Sequence, residues 1–303
     1  MDNYSRALGA VRAALPKIKY RADELMENHT SFRIGGPARM MFFPVNAAEL
    51  TGLCGLLSEH GVAALIVGNG TNLLINDCCL DMAVIKTSGL GVTMCNGENE
   101  ITAGAGVALS QLADFAHNNR LSGLEFAYGI PGSVGGAVSM NAGAYGGEMK
   151  DVVFSTTVYS ADAGIVTITG EQHSFSYRGS RFSNSSEIVI SSALRLRKGN
   201  KVEIKARMDE LNARRRRSQP LDLSSAGSTF KRPKGGYAAA LIEQVGLKGF
   251  AIGGAQVSEK HSGFIVNRGG ATFAEVVSLI EHVREAVFKQ FGIELEPEVK
   301  IIK

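Results

Sequence analysis

The clearest periodic pattern in the chain lies near its C-terminus, where apolar residues recur at helical spacing between polar caps. Thr272 and Glu275 form the S/T-x-x-E pattern that starts helices, and Gly292 is placed to end one. The apolar positions share one face of such a helix. They are Phe273, Val276, Val277, Ile280, Val283 and Val287. The pattern predicts an amphipathic helix packed on a core.

Similar reasoning divides the rest of the chain into helices and strands. Alternating or continuous apolar runs bounded by turn residues predict strands, and capped 3.6-residue periods predict helices. The predicted helices are Val11–Leu25, Asn46–Gly61, Ser110–Asn118, Asn200–Arg217 and Tyr237–Val245. The predicted strands are one ending at Pro44, then Ala63–Val67, Met82–Lys86, Ile101–Gly106, Asp151–Ser160, Ile165–Thr169, Glu187–Leu196, Ala251–Val257, Gly263–Val266 and Leu295–Ile301. The mixture indicates an α+β protein.

Two glycine-rich segments interrupt this pattern. In Gly129–Glu148, seven of twenty residues are glycine and few are charged, which excludes an ordinary helix or strand. Successive backbone N–H groups in such turns form concave anion sites, to which Ser133 and Asn141 can add side-chain donors. The second segment, Gly68–Asp77, follows a strand, where α/β folds place ligand loops. A glycine-rich surface loop without ligand is the alternative.

Two common nucleotide-binding motifs are absent. The GAG at Gly104–Gly106 lacks the third glycine and the acidic residue of a dinucleotide fingerprint, and no Gly-Lys-Ser/Thr occurs. Any nucleotide must therefore be held by a different arrangement.

The chain has 303 residues, which predicts two domains or three small ones, and its composition is typical of a soluble globular enzyme: 45% hydrophobic, 20% charged and a net charge of +3. It excludes disorder, offers no membrane span or signal peptide, and is too weakly basic to indicate nucleic acid binding. The cysteines lack metal or disulfide spacing, so we expect reduced, mostly buried thiols, no metal and a cytoplasmic location. They are Cys54, Cys78, Cys79 and Cys95.

Six short motifs, taken in order and spacing, resemble the UDP-N-acetylenolpyruvoylglucosamine reductase (UDP-N-acetylmuramate dehydrogenase) family in its smaller, type II form. They are GNGTN at Gly68, IPGSVGGA at Ile130, NAGAYG at Asn141, SYRGS at Ser176, GSTFKRP at Gly227 and LEPEV at Leu295. The resemblance covers residues 28 to 303. Cys78-Cys79 departs from it, since a glycine-containing turn is more usual there.

The resemblance implies a two-lobed FAD-binding domain of the p-cresol methylhydroxylase/vanillyl-alcohol oxidase type and a smaller C-terminal α+β substrate domain. The expected divisions are a helical lead-in at 1–27, the FAD-binding domain at 28–197 with lobes of about 28–88 and 89–197, a connecting helix at 198–218, and the substrate domain at 219–303. The last strand is expected to return to the active site.

The resemblance also implies non-covalent FAD, with its pyrophosphate and ribityl chain held by the glycine loops. The expected contacts are Gly68, Asn69, Gly70, Thr71, Asn72, Gly129, Ile130, Pro131, Gly132, Ser133, Gly135, Gly136, Asn141, Gly143 and Ala144.

Three catalytic residues are carried over by the resemblance. Arg178 would stabilise negative charge on the substrate carboxylate, Glu298 would share that role, and Ser228 would donate a proton to the α-carbon. Taken without the resemblance, Ser228 is a turn cap, Glu298 a surface carboxylate and Arg178 a member of a strand-edge ion pair.

The implied reaction uses NADPH as hydride donor and UDP-N-acetylglucosamine enolpyruvate as acceptor, by a ping-pong route and in a monomer or weak dimer. The expected substrate contacts are Tyr177, Arg216, Lys231, Arg232 and His261. The arginine run around Arg216 can equally face water at a helix C-terminus. Two other functions stay open: a different FAD-dependent oxidase of this fold, and a nucleotide-sugar binding protein without turnover.

Overall fold

The computed structural model describes residues 2–303, which form seven α-helices joined by strands and short 3₁₀ turns. The helices are α1 (Asn3–Ala14), α2 (Ala47–Glu59), α3 (Leu109–Asn118), α4 (Val134–Ser139), α5 (Lys201–Ser218), α6 (Ala238–Gln244) and α7 (Phe273–Phe291).

The strands are short, and most belong to antiparallel sheets. They are β1 (Lys19–Leu25), β2 (Pro37–Phe43), β3 (Ala64–Val67), β4 (Leu73–Ile75), β5 (Leu80–Lys86), β6 (Thr93–Cys95), β7 (Glu100–Gly104), β8 (Leu121–Ser122), β9 (Gly143–Ala144), β10 (Gly147–Glu148), β11 (Val153–Ser160), β12 (Gly164–Thr169), β13 (Ile188–Arg195), β14 (Arg197–Lys198), β15 (Ser224–Ser228), β16 (Ala251–Ile252), β17 (Ala255–Val257), β18 (Phe264–Asn267) and β19 (Lys300–Ile302).

The chain folds into two compact units that are discontinuous in sequence. The first comprises the chain up to Asp23 together with Arg39–Asn69 and Asp81–Ala213, and the second comprises Glu24–Ala38, Gly70–Leu80 and Arg214–Lys303. This grouping differs from the predicted linear division, because two segments expected in the FAD-binding domain belong to the unit that holds the C-terminal residues.

The first unit is built around two sheets. One has the strand order β1-β2-β5-β3, with β3 and β5 parallel, and the other is β12-β11-β13-β7-β6, antiparallel throughout. Helices α1 to α4 contribute their apolar faces to one continuous core with these sheets. Fully buried members include Leu53, Ile85, Leu112 and Val138.

The second unit contains the four-stranded sheet β15-β18-β17-β16 and the parallel pair β19-β4. Helix α7 packs Val276, Leu279, Ile280, Val283 and Val287 into its core. The capping box at Thr272 and Glu275 and the left-handed Gly292 are present, so the predicted boundaries of this helix are confirmed.

Most predicted elements are confirmed to within a few residues, and four differ. The single strand predicted at Ala251–Val257 is a hairpin of the two short strands β16 and β17. The helix predicted from Val11 begins at Asn3. Residues Lys19–Leu25 form a strand and not the end of a helix, because α1 stops before Pro16, a residue that disfavours helix in its predecessor. The C-terminal strand begins only at Lys300, since Pro297 has no N–H for a ladder. Helix α4 lies inside the glycine-rich segment, although it is only six residues long.

The prediction that the cysteines are mostly buried is wrong. Cys78, Cys79 and Cys95 are exposed, and Cys54 is half-buried on α2. Burial raises the pKa of the Cys54 thiol to about 11.

Candidate active site

The two glycine loops meet in the first unit. A methyl group added at Gly68 would lie 2.3 Å from the hydroxyl oxygen of Ser133, so only glycine leaves room for that side chain. The Asn69 side-chain amide donates to the carbonyl of Pro131 across 3.1 Å. The sequence predicted both loops as cofactor-binding, and the structure brings Gly68 and Asn69 against Pro131 and Ser133.

Ser133 carries a buried hydroxyl whose oxygen has no hydrogen-bond partner anywhere in residues 2–303. The residue is only 1% exposed and directly precedes α4. A buried hydroxyl left unpaired costs about 1–3 kcal/mol, so native proteins rarely keep one without a ligand or water. This unsatisfied group between the glycine loops fits an oxygen-rich ligand such as the diphosphate or ribityl chain of FAD.

Not every glycine in this segment is left for a ligand. The N–H of Gly135 donates to the carbonyl of Ala105 across 2.9 Å, and a methyl group at Gly135 would lie 2.8 Å from the Cβ of Ala105. At Gly147 an added methyl would lie 2.6 Å from the ring of Phe126. Several of the glycines that suggested an anion site therefore allow close packing inside the protein.

Asn141 holds the second glycine loop together. It is fully buried and left-handed at φ 44°, and its amide donates to Glu148 Oε2 (2.9 Å) and the Ser176 carbonyl (2.8 Å). Its oxygen accepts the N–H of Lys150 at 2.9 Å. Both donors predicted for an anion are thus used within the protein, so the side chain of Asn141 positions the loop.

Arg178 lies against this loop. Its guanidinium donates to the carbonyl of Gly143 across 3.1 Å and sits 5.2 Å from the ring centroid of Tyr177. The residue is half-buried with φ 54°, in a tight turn closed by two hydrogen bonds between Ser176 and Gly179. Since left-handed backbone is costly for a side chain with a Cβ, the turn holds Arg178 in an enforced position.

The charge around Arg178 is partly balanced by Glu148. Hydrogen bonding to Lys150 holds the pKa of the Glu148 carboxyl below its usual value, with smaller contributions from Asn141 and the Arg178 charge. Glu148 and Lys150 are 2.9 Å apart. The carboxylate is thus ionised at neutral pH, and it helps to keep the guanidinium in place.

In the second unit, Ser228 and Glu298 lie on adjacent backbone segments. Ser228 ends β15 after an irregularity that includes Gly227 at φ 78°, and the next carbonyl, of Thr229, accepts the N–H of Glu298 across 2.8 Å. Both residues are half-buried. The structure therefore brings together the predicted proton donor and the predicted carboxylate, which are 70 positions apart in sequence.

Asn72 connects this pair to the first glycine loop. Its side-chain amide donates to the carbonyl of Glu298 across 3.0 Å, and its own carbonyl accepts the N–H of Lys300. Gly70 lies in the same unit, where its φ of 66° and a carbonyl oxygen of His29 only 2.0 Å from any added methyl require glycine. Part of the predicted cofactor loop is thus fixed directly to the Glu298 backbone.

Two predicted substrate cations have partners within the protein. Lys231 pairs with Glu296 Oε1 at 2.5 Å, and the Arg232 guanidinium lies 4.4 Å from the ring centroid of Tyr237. Lys231 lies three positions after Ser228 in sequence. Its pairing with Glu296 places its charge at the edge of the segment that carries Glu298.

His261 is not a cation in this fold. Burial lowers its pKa from the usual 6.5, so the ring is neutral at neutral pH, and its Nδ1 accepts the N–H of Gly263 at 3.2 Å. His261 therefore stays a predicted substrate contact, as a neutral hydrogen-bonding group and not as a cation. A neutral ring can still form a hydrogen bond through Nε2.

The arginine run at the end of α5 is mixed in exposure. Arg216, the member selected from sequence, is exposed, and its carbonyl accepts Lys260 Nζ at 2.7 Å. Arg215 is the half-buried member of the run. The sequence does not predict this difference, because which arginine faces the protein depends on how the end of the helix packs against the rest of the chain.

A second concave region lies in the second unit and contains none of the predicted site residues. It is a cleft of about 650 Å³ whose wall includes Arg33, Arg268, Asp77 and the pair Gly35–Gly36. The repeated Arg-x-Gly-Gly and Arg-Gly-Gly patterns at these positions were its only sequence signal.

Within residues 2–303, no group of three or more His, Cys, Asp or Glu side chains converges in a way that could hold a metal ion. No helix in that range is both long and apolar enough to span a bilayer.

Comparison with known proteins identifies the class first. Residues 38–169 match the FAD binding domain family, and alkyldihydroxyacetonephosphate synthase shares the fold at a TM-score of 0.51 with 14% identity, over 64% of this chain and 40% of that one. The fold is the FAD-binding fold of the p-cresol methylhydroxylase/vanillyl-alcohol oxidase type, joined to an α+β C-terminal domain.

More similar relatives define the family. Residues 219–302 match the C-terminal domain of UDP-N-acetylenolpyruvoylglucosamine reductase. The enzymes of that name from Caldanaerobacter subterraneus and Clostridioides difficile are 48% and 44% identical, over 96% and 95% of both chains. The crystal structure of the reductase from Thermus caldophilus superposes with a TM-score of 0.81 at 33% identity, covering 95% of this chain and 99% of that one. The chain belongs to the UDP-N-acetylenolpyruvoylglucosamine reductase family.

Proposed function

We propose that this protein uses bound FAD to reduce UDP-N-acetylglucosamine enolpyruvate to UDP-N-acetylmuramate at the expense of NADPH, a step of peptidoglycan precursor synthesis. The observation that carries the proposal is the linkage of Ser228, Glu298 and Asn72. The hydrogen bonds of Glu298 to Thr229 and Asn72 fix the acid–base pair to a predicted cofactor loop. Membership of the reductase family supports the same assignment.

The glycine loops would hold FAD, which when bound supplies the hydride chemistry that side chains lack. The buried, unpaired hydroxyl of Ser133 beside Gly68 is suited to donate to a phosphate or ribityl oxygen. Asn69 and Asn141 keep the two loops in place through the Pro131 and Ser176 carbonyls.

Arg178 would stabilise the substrate when a hydride adds to the β-carbon of its enolpyruvyl group. Negative charge then spreads onto the carboxylate, and a fixed guanidinium stabilises that charge more strongly than mobile water does. The hydrogen bond to Gly143 and the left-handed backbone hold Arg178 before substrate arrives. Glu298 in its protonated form would share this role by donating a hydrogen bond to the same carboxylate.

Ser228 would complete the reaction by giving a proton to the α-carbon. A serine hydroxyl is a weak acid, so a neighbouring group must stabilise the alkoxide or return the proton. The N–H of Glu298 donates to the carbonyl of Thr229, the residue after Ser228, so Glu298 is a candidate for this role. Tyr177, Arg216, Lys231, Arg232 and His261 stay predicted contacts of the uridine diphosphate. Cytoplasmic location and a monomer or weak dimer also stay predictions.

The test separates the two half-reactions by anaerobic stopped-flow absorbance. Ser228→Ala should leave reduction of the flavin by NADPH within a few-fold of the native rate, while reoxidation by the enolpyruvyl sugar slows by about 10²–10⁴, as expected for a lost proton donor. Ser224→Ala, on the same strand, is the matched control. Equal slowing of both half-reactions would show that Ser228 positions the cofactor and would contradict the assignment.

A further inference from the structure

Cys78 and Cys79 form a sequence feature that the proposed function leaves unused. They occupy the turn between β4 and β5, and both are exposed. Cys95 is exposed but has no cysteine next to it in sequence, and Cys54 is half-buried with a thiol pKa raised to about 11 by burial. A pair of adjacent, exposed thiols therefore occurs only in this turn within residues 2–303.

The turn is attached to three distant segments of the second unit. The carbonyl of Asn76 accepts the N–H of Gly36 at 2.8 Å, and its N–H donates to Ile302 at 2.9 Å. The carboxylate of Asp77 accepts the N–H of Phe273, the first residue of α7, at 2.8 Å. A change in the backbone of residues 77–79 would be transmitted to the start of that 19-residue helix.

Space around the turn is tight on one side. A methyl group at Gly36 would lie 2.1 Å from the Asp77 carbonyl oxygen and 2.5 Å from that of Cys78. Gly36 and Asp77 both line the 650 Å³ cleft of this unit. A rearrangement of residues 77–79 would therefore change the lining of this cleft.

We propose that Cys78 and Cys79 are a redox-active dithiol, oxidised by hydroperoxides to a reversible disulfide between adjacent residues that loosens the Asp77 cap on α7. One thiol takes an oxygen atom from the hydroperoxide, which leaves as water or an alcohol, and becomes a sulfenic acid. The neighbouring thiol attacks that sulfur; the S–S bond forms, the S–O bond breaks and water leaves. Two electrons pass from the dithiol to the peroxide.

Proximity favours this outcome over further oxidation. A thiol on the adjacent residue reaches the sulfenic sulfur intramolecularly, whereas Cys95 has no such neighbour in sequence. The Cα atoms of adjacent residues are about 3.8 Å apart, below the usual 4.4–6.8 Å of disulfides, so the bond is strained and easily reduced. Strained, exposed disulfides are the labile ones, and thiol reductants should restore the dithiol.

Peptide mass spectrometry of the holoenzyme after mild hydrogen peroxide tests the chemistry. The peptide with both cysteines should lose the mass of two hydrogens and regain it with a thiol reductant, while the Cys95 peptide gains only oxygen. Cys78→Ser should abolish the loss. Phenylarsine oxide, which bridges paired thiols, should label the native protein and not this variant. Oxygen addition alone at Cys78 and Cys79, dimers linked through them, or failure to bind the arsenical would overturn the proposal.

Amide exchange tests the structural consequence. In the oxidised holoenzyme the Phe273 N–H should exchange about tenfold faster than in the reduced form, because its acceptor on Asp77 is displaced. The N–H of Leu50, hydrogen-bonded within α2 of the other unit, is the internal control. Unchanged exchange at Phe273 after complete, reversible oxidation would overturn the coupling to α7.

Discussion

Ser133 is the residue at which sequence and structure point most directly to a ligand. Its hydroxyl was expected to help hold a cofactor, and it is buried with no partner in residues 2–303. Asn141, expected in the same role, uses its amide inside the protein. Sequence could not separate the two, because whether a polar group is already satisfied depends on neighbours that are distant in the chain.

Replacing Ser133 should not lower the stability of the apoprotein but should lower its affinity for FAD. Ser133→Ala removes an unpaired buried hydroxyl, so the apoprotein should be as stable as the native form or slightly more stable. FAD affinity should fall about tenfold, the cost of about 1.4 kcal/mol for one lost hydrogen bond. Thermal unfolding of apoprotein and absorbance titration with FAD measure the two effects. Unchanged FAD affinity would contradict the assignment.

Gly68 and Ser133 should show strong coupling in a double-mutant cycle. Gly68→Ala places a methyl group 2.3 Å from the Ser133 hydroxyl and should cost about 1–3 kcal/mol of unfolding free energy. Adding Ser133→Ala should recover most of this, since the next contact, to the Ser133 Cβ, is at an ordinary 3.5 Å.

Gly70→Ala is the matched control for this cycle, measured by the same denaturant unfolding. Its added methyl would meet the backbone oxygen of His29 at 2.0 Å, and its φ is 66°. Ser133→Ala should therefore not rescue it. Additive costs for Gly68→Ala and Ser133→Ala would mean that the two loops are not packed as described.

At the scale of elements, caps were the most reliable sequence signal. The Asn46 side chain accepts the N–H of Glu49 at 2.9 Å, and Asn200 accepts that of Val202 at 2.8 Å, as expected at the starts of α2 and α5. These interactions are local, so sequence contains them. The strand β1 was missed because it is defined by its hydrogen bonds to β2. None of its residues is fully buried, so its sequence lacks the apolar periodicity that would predict a strand.

Removing the cap of α7 should destabilise the protein measurably. Thr272 Oγ accepts the N–H of Glu275 at 3.2 Å, and Thr272→Ala should lower the unfolding free energy by about 1 kcal/mol. Ser278→Ala, an exposed position within the same helix, should be neutral or slightly stabilising. Denaturant unfolding compares the two. Equal effects would show that the cap contributes nothing.

Glu275 should make the stability depend on pH in the acid range. The N–H groups of Thr272 and Gly254 lower its pKa from the ordinary 4.5. Because the folded-state pKa is the lower one, its stabilisation is complete above about pH 4.5 and is lost as pH falls through the folded value. Glu275→Gln should therefore flatten this part of the stability profile. An unchanged acid limb in the variant would contradict the role of the charge.

At the scale of the whole molecule, the fold class and the family followed from sequence, while the grouping of segments did not. The parallel pairing of β4 with β19 joins Leu73–Ile75 to Lys300–Ile302, and the bond from Asn72 to Glu298 belongs to the same connection. This pairing cannot be predicted from local sequence, because each strand has only three residues and could pair with many others. Ser228 and Glu298 are brought together by this long-range topology.

The most direct test of the proposed function is an anaerobic absorbance titration of the purified holoenzyme with NADPH, followed by UDP-N-acetylglucosamine enolpyruvate. We expect a yellow protein that NADPH bleaches and the enolpyruvyl sugar recolours, with formation of UDP-N-acetylmuramate. A reduced protein that only oxygen recolours would contradict the account in favour of an oxidase. A colourless protein that binds the sugar without turnover would contradict it in favour of a binding protein.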